Sequence, residues 1–345
     1  MAIGIATQRH AGAQPPLVGG AVRVHAPGRL HLGFLDPAAT LGRRFGSLGL
    51  ALDAWETVVE LGRAPADSFS ADDEAGRDEL ARARELIDVL RHALRRTERL
   101  QLRIRRALPS HAGFGSGTQL ALAVGRAFCT LFDLPLTGAE LARLTGRGLR
   151  SGVGIAAFEH GGLLLDGGPR ADGSPAQEMA RIELPPSWRV LLVLDPRLRG
   201  LSGADERAAL ARLAPLPRDT AADICHEVLM RLLPGAAGDE FAPFAAGLSR
   251  IQRLLGQHFA PAQQGRCFAS AAVGRVLDWV AAHATAAVGQ SSWGPTGFAV
   301  LPSEGHARDM LSAARSAGVV DPMLVLDVVR ARNHGATLTL LPPSR

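Results

Sequence analysis

The chain has 345 residues, of which 47% are hydrophobic and 21% charged, and a formal net charge of +5. That length and balance point to about two globular domains, and no apolar run approaches the ~18 residues of a membrane-spanning helix. All 38 basic residues are arginine, and tyrosine is absent too; without lysine, a Walker-type P-loop and pyridoxal-phosphate chemistry are excluded.

Residues 1–20 read as a flexible leader without the basic start and apolar block of a signal peptide, which leads to an expected cytoplasmic location. "AVRVHAPGRLHLGF" (21–34) alternates around a Pro-Gly break, predicting a strand, a kink and more strand. A strand follows at 57–63, then a helix at 78–96 with Leu80, Leu86, Leu90 and Leu94 at helical spacing. "RLQLRIRRA" (99–107) alternates as a half-exposed strand, and a helix runs from the glycine-rich stretch to about Phe132. Thr137 is positioned to cap the next helix. Composition turns loop-like near 170–188, which divides the chain into domains at 21–180 and 188–345. Beyond it come a buried strand (188–196), a mostly helical stretch (203–288), then strand, helix, strand and strand to residue 341. The whole predicts an α+β protein.

"PSHAGFGSGTQLALAVG" (109–125) carries the clearest chemical signal. A helix N-terminus offers free N–H groups and a partial positive charge, and glycines ahead of it let an anion approach the backbone. Gly113, Gly115 and Gly117 supply the glycines, and Ser116 and Thr118 add hydroxyls. The bland alternative is a tight strand-to-helix turn. A Rossmann reading is weak, because the spacing is G-x-G-x-G and Asp133 lies at a helix end. The three cysteines, Cys129, Cys225 and Cys267, are too far apart for a zinc ribbon. Arginines 91, 95, 96, 99, 103, 105 and 106 are interspersed with acids and have no aromatic partners, so they read as a solvated face rather than a nucleic-acid site.

Pro109 with Gly113-Phe114-Gly115-Ser116 resembles the second motif of the GHMP small-molecule kinases. "APGRLHLGF" (26–34) resembles their first motif and "GQSSWGPTGFAV" (289–300) their third. This resemblance implies a kinase-like N-terminal domain and a ferredoxin-like C-terminal domain. One departure bears on the chemistry. Where such kinases carry the aspartate that takes the substrate proton, "RSGVGIAAFEHGG" (150–162) matches at Ser151 and Gly152 but has Gly154 at the aspartate position. Phosphoryl transfer then lacks its base, and Gly117 stands where a serine commonly meets Mg²⁺.

With "GRGLRSGVGIAAFEHGG", "IQRLLGQHFAPAQQG" and "GQSSWGPTGFA", the chain resembles β-ribofuranosylaminobenzene 5′-phosphate synthase from about residue 22 to 340. That family joins the phosphoribosyl group of phosphoribosyl pyrophosphate to C1 of a para-substituted benzoate, with loss of CO₂ and pyrophosphate, in tetrahydromethanopterin synthesis. The resemblance implies a role for Arg29, the 113–118 loop, Arg147, Arg150, Ser151 and the loop of Gln290, Ser291, Ser292, Gly294 and Thr296 in holding the donor. Mg²⁺ would stabilise the charge of the departing diphosphate and is the expected cofactor, with Asp36 as a metal ligand or ribose contact, and the resemblance is all that supports Gln264. His31 is the candidate for the para substituent, 4-amino or 4-hydroxy, and Phe34 or Trp293 for weak contact with the carboxylate. An arginine clamp there would stabilise the ground state and slow decarboxylation.

Each residue has a plain competitor. Arg29 could pair with a surface acid, His31 and Trp293 could be core, and Arg147 and Arg150 could cap a helix end. Asp195-Pro196 suits a turn, as do Gly161 and Gly162. The rival functions are an ATP-dependent kinase that recruits Asp36 or Glu159 as its base, and a non-catalytic binding protein. The expected partners are small molecules, with no nucleic acid or membrane, and a homodimer is plausible from exposed sheet edges.

Overall fold

The computed structural model describes residues 20–170, 172–201 and 203–342; all but the last residue of the expected leader lies outside them. In chain order the first half runs β1 (Ala21–Asp36), β2 (Phe45–Arg63), β3 (Ser68–Ala71), α1 (Glu74–Asp78), α2 (Leu80–Leu94), β4 (Leu100–Arg106), α3 (Ser116–Leu131), α4 (Gly138–Leu144), α5 (Val153–Glu159), β5 (Leu163–Asp166) and β6 (Glu178–Ile182). The second half runs β7 (Arg189–Leu194), α6 (Gly203–Arg212), α7 (Arg218–Glu227), a π-helical turn (Val228–Leu232), α8 (Leu233–Ala237), α9 (Phe241–Phe259) and a 3₁₀ turn (Ala260–Gln263). It ends with α10 (Ala271–His283), β8 (Ala287–Gln290), β9 (Thr296–Leu301), α11 (Glu304–Ser316), β10 (Val325–Val329) and β11 (Thr337–Leu341).

Among the described residues there are two sheets. The first has the order β11-β1-β2-β4-β3, with β5 on the far half of β2 and β6 beside β5. The second is antiparallel in the order β10-β7-β9-β8. Its strands and intervening helices follow a βαββαβ path, which gives the fourth-first-third-second order of a ferredoxin-like unit. β11 crosses back and pairs antiparallel with β1, so the last strand completes the first sheet rather than the second. β6 falls in the stretch whose composition reads as loop; it is a half-exposed strand paired only with β5, so it has no buried apolar face to mark it.

Alternation along β1, β2 and β4 puts Val22, Val24, Val59, Leu61, Leu102 and Ile104 on one face. There they meet Leu86, Ile87 and Leu90 of α2 and Leu120, Val124 and Phe128 of α3. The lower part of the sheet, through Leu30, Leu32, Leu48 and Leu50, packs instead on the second sheet and on Phe244, Leu248, Ile251 and Leu255 of α9. Those α9 positions recur at helical spacing, and each such side chain fully buried is worth about 1.5–3 kcal/mol. Thr137 caps α4 in a full capping box with Glu140, as the sequence predicts.

Candidate active site

β1 is long but not regular. Its register with β2 shifts between Pro27 and Arg29 and again between His31 and Gly33. Such bulges re-aim side chains, and here they bracket Arg29 and His31. This is the kink that the Pro-Gly pair predicts.

The three motifs, far apart in sequence, are stitched together by main-chain hydrogen bonds. Arg29 N donates to Phe114 O at 3.0 Å, and Ser292 N donates to His31 O at 3.1 Å. Ser291 Oγ accepts from His31 N at 2.9 Å and donates to Gly113 O at 2.6 Å. Ser291 is fully buried, so its hydroxyl joins the motifs and is not offered to a substrate. A Cβ on Gly294 would stand 2.6 Å from Ala112 O, which explains a glycine there. Gly113 and Gly115 have φ of 96° and 72°, the left-handed region that favours glycine. They turn the chain into α3, whose first N–H groups face outward along the axis.

Arginines surround that helix end. From the place a Gly115 Cβ would occupy, Arg29 Cζ is 3.1 Å away; from Gly117, Arg82 Nη1 is 3.3 Å and Arg147 Nη1 3.4 Å. Arg29 Nη1 also donates to Gly113 O at 3.3 Å. Arg150 donates to Glu206 Oε2 at 2.6 Å. Buried N–H groups with no acceptor remain on Arg29 (Nε), Arg147 (Nε) and Arg150 (Nη1). Such groups are costly unless a ligand satisfies them. Burial lowers the Arg29 pKa to about 10, against an opposing pull from Glu206, so Arg29 stays charged at neutral pH. Arg147 is also lowered, by burial first and the charge of Arg82 second.

Across His31 lies a cavity of about 810 Å³, lined by His31, Phe34, Phe259, Gln263, Ser292 and Trp293 among others. His31 is 3% exposed, and neither ring nitrogen has a partner. Burial, then the charges of Arg29 and Arg150, hold its pKa well below the usual 6.5, so the imidazole is neutral. The His31 ring meets Phe34 edge-on at 4.5 Å, and Trp293 packs on Phe259 at 4.6 Å. The Gln290 amide is used within the protein: its Nε2 donates to Gln263 Oε1 and Ser292 O, and its Oε1 accepts from Ala269 N.

Other sequence candidates fall elsewhere. Asp36 accepts from Ala38 N, Thr40 Oγ1 and Leu41 N, which commits its carboxylate to the turn that ends β1. Ser151 Oγ donates to Asp166, which also receives Gly152 N and Val153 N and so anchors the start of α5. Thr296 opens β9 fully buried, with its hydroxyl unpartnered but outside the cavity lining. Gln264 sits exposed beyond the 3₁₀ turn, and it is its neighbour Gln263 that faces the cavity. Thr118 packs against Gly154, whose added Cβ would lie 3.1 Å from Thr118 Cγ2; the base position of the kinase pattern thus abuts the first turn of α3 and carries no acid. Asp195 is bound by Arg197 and Ser270 as part of a turn. The basic face of β4 is paired with Asp72 and Glu60, and Arg91 and Arg99 with Asp67, as expected of a solvated face, but Arg96 does have an aromatic partner, lying 5.0 Å from the Phe132 ring centre. Arg82 and Glu206 escaped the sequence reading. An arginine three residues after a glutamate on a polar helix face is indistinguishable from any surface pair until α2 is docked on α3.

The fold, with its glycine loop ahead of α3, is that of the GHMP kinases. The family model described as the GHMP kinases N-terminal domain matches residues 81–162. Homoserine kinase from Cytophaga hutchinsonii superposes with a TM-score of 0.62 at 15% identity, covering 97% of this chain and 100% of that one. Phosphomevalonate kinase from Streptococcus pneumoniae gives 0.67 at 12%, covering 91% and 100%. At such identities these likenesses establish the fold alone. Sequence relatives are narrower. The β-ribofuranosylphenol 5′-phosphate synthase of Archaeoglobus fulgidus is 31% identical over 335 residues, covering 92% of this chain and 99% of that protein. That of Methanothermobacter thermautotrophicus is 28% identical, covering 91% and 97%. The chain belongs to the β-ribofuranosylphenol 5′-phosphate synthase family, a family of enzymes.

Proposed function

We propose that the protein transfers the phosphoribosyl group of phosphoribosyl pyrophosphate to C1 of 4-hydroxybenzoate, a step of tetrahydromethanopterin synthesis. The "phenol" in the relatives' names favours the 4-hydroxy over the 4-amino acceptor. In this reaction the anomeric C–O bond breaks and its electron pair leaves with diphosphate. Ring carbon C1 supplies the pair for the new C–C bond. The bond to the carboxylate then breaks, returns its pair to the ring and releases CO₂. No C–H proton has to be removed.

The observation that carries this reading is a cradle of arginines with unsatisfied N–H groups beside a glycine at the base position. Donors aimed at a leaving group stabilise charge that grows in the transition state, each worth about 3 kcal/mol. A neutral imidazole with free nitrogens suits a hydrogen bond to the para hydroxyl, and Phe34 and Trp293 beside it offer the weak contact that decarboxylation favours, while Arg231, Arg250 and Arg253 also line the cavity. The kinase reading lacks its acid, since Asp36 is bound in a turn and Glu159 accepts from Arg126 at 2.9 Å.

The donor set does not fit a Mg²⁺ ion held by the protein. Among the described residues no three His, Cys, Asp or Glu side chains cluster, and the glutamates nearest the loop, Glu79 and Glu206, are bound to Arg82 and Arg150. Mg²⁺ would instead arrive with phosphoribosyl pyrophosphate and offset its charge. A cytoplasmic location and a paired assembly belong to the same proposal; β11 is an edge strand with Leu340 69% exposed. The test is incubation with phosphoribosyl pyrophosphate, Mg²⁺ and carboxyl-labelled 4-hydroxybenzoate. Labelled CO₂ in step with diphosphate is the expected result. ADP from ATP without CO₂ would make the protein a kinase.

A further inference from the structure

The arginines at the glycine loop fall into two pairs, and each pair has one glutamate. On the side of His31 stand Arg29 and Arg150, with Glu206 bonded to Arg150; both guanidinium charges act on the His31 ring. On the other side stand Arg82 and Arg147, whose Nη1 atoms lie 3.3 and 3.4 Å from the missing Gly117 Cβ. Glu79 holds Arg82 at 3.0 Å and also receives the Ser110 hydroxyl. Of this pair only Arg82 lines the neighbouring open groove, where Asp78, Glu79 and Glu85 offset Arg82 and Arg199, so the anion seat is the gap beside Gly117 and not the groove. Each pair therefore carries one positive charge more than its glutamate cancels, and Arg147 keeps a buried Nε–H without an acceptor. Gly117 has no side chain to fill the gap between its two guanidinium groups.

The donor of the proposed reaction has two anionic ends, a diphosphate on C1 and a monophosphate on C5 of the ribose. C1 has to face the acceptor cavity, and the pair beside that cavity is Arg29 with Arg150. We propose that Arg82 and Arg147 bind the 5-phosphate of the donor, while Arg29 and Arg150 with the glycine loop receive its diphosphate. This rests on the phosphoribosyl-transfer reading. It separates two roles. The 5-phosphate keeps its charge throughout, so its contacts bind ground and transition states equally and act on KM. The diphosphate gains charge as it leaves, so its contacts act on kcat.

Arg82→Gln, Arg147→Gln and Arg29→Gln test the division, with circular dichroism to verify the fold and titration calorimetry of ribose 5-phosphate and of diphosphate. Arg82→Gln alone suffices should Arg147→Gln fail to fold. In Arg82→Gln, KM for phosphoribosyl pyrophosphate and the Kd of ribose 5-phosphate should rise roughly 10- to 100-fold, the range for a lost charged hydrogen bond. Its kcat and the Kd of diphosphate should stay near wild type, whereas Arg29→Gln should lower kcat. Unchanged ribose 5-phosphate binding in Arg82→Gln overturns the assignment, as does a fall in its kcat matching that of Arg29→Gln. The calorimetry reads the arginine pair without turnover, so a wild-type protein that binds ribose 5-phosphate through Arg82 yet releases no CO₂ would overturn the proposed reaction and not this site.

Discussion

The two sides of His31 are built on opposite principles. At the start of α3 the backbone adopts left-handed angles at Gly113 and Gly115, and buried guanidinium N–H groups lack partners. In the cavity beyond, Gln252, Gln263 and Gln290 are joined by hydrogen bonds, and aromatic rings form part of the wall. The first region presents buried donors without acceptors; in the second the lining amides are paired and the His31 ring nitrogens are not. In the proposed reaction the leaving group would be gripped by charge, where the gain grows as the bond breaks, and the acceptor by shape, since a tight grip on its carboxylate would oppose the chemistry.

Substitutions can break this contrast. Gly115→Asp has the largest expected effect. Its side chain would meet Arg29, whose Cζ lies 3.1 Å from the ideal Cβ, and neutralise it. Turnover should vanish while circular dichroism stays native, since aspartate tolerates the left-handed region at a cost of about 1–2 kcal/mol. Near-normal turnover would remove the loop from the active site.

Gly154→Asp places a carboxylate against Thr118 in the first turn of α3. Repulsion of the diphosphate should lower kcat/KM roughly 10- to 100-fold, and kinase activity in its place would reverse the account of the missing base. In the cavity, Trp293→Phe should raise KM for 4-hydroxybenzoate by roughly 3- to 10-fold, the scale of one aromatic contact, with KM for the donor unchanged. An equal change in both constants would merge the two regions.

The smallest effect concerns the boundary between them. His31 is neutral in the folded protein because its pKa is held well below 6.5. Once pH falls below about 6.5 the unfolded chain binds a proton there that the folded chain refuses, so stability drops as acid is added. His31→Gln should remove up to about 1.4 kcal/mol of that loss per pH unit below 6.5. Identical denaturation profiles at pH 6.5 and 5.5 for both proteins would place His31 in contact with water.

Much of this was legible in the chain itself. Alternation in 21–34 and 99–107 and helical spacing in 78–96 gave β1, β4 and α2, because each buries one face and the period records it. The glycine loop was legible because Gly113 and Gly115 need conformations that other residues resist. The sequence singles out Ser291 but not its role: a serine looks the same whether it meets a ligand or Gly113 O. Asp36 likewise looks like a metal ligand until its turn closes on it.

Sequence alone determined what the site lacks and what it is made of, namely no lysine, glycine where the kinase base belongs, and a glycine-rich turn into a helix, because composition and backbone demands are properties of the chain at each position. Tertiary structure alone added Arg82 to the arginines that the sequence singles out, Arg29, Arg147 and Arg150. Arg82, 35 residues ahead of Gly117, reaches the loop only because α2 and α3 pack on one sheet face, and β11 reaches β1 only because the chain's end crosses back. The first pairing buries apolar area and the second satisfies backbone hydrogen bonds of an edge, and both join segments too far apart for any local pattern to encode.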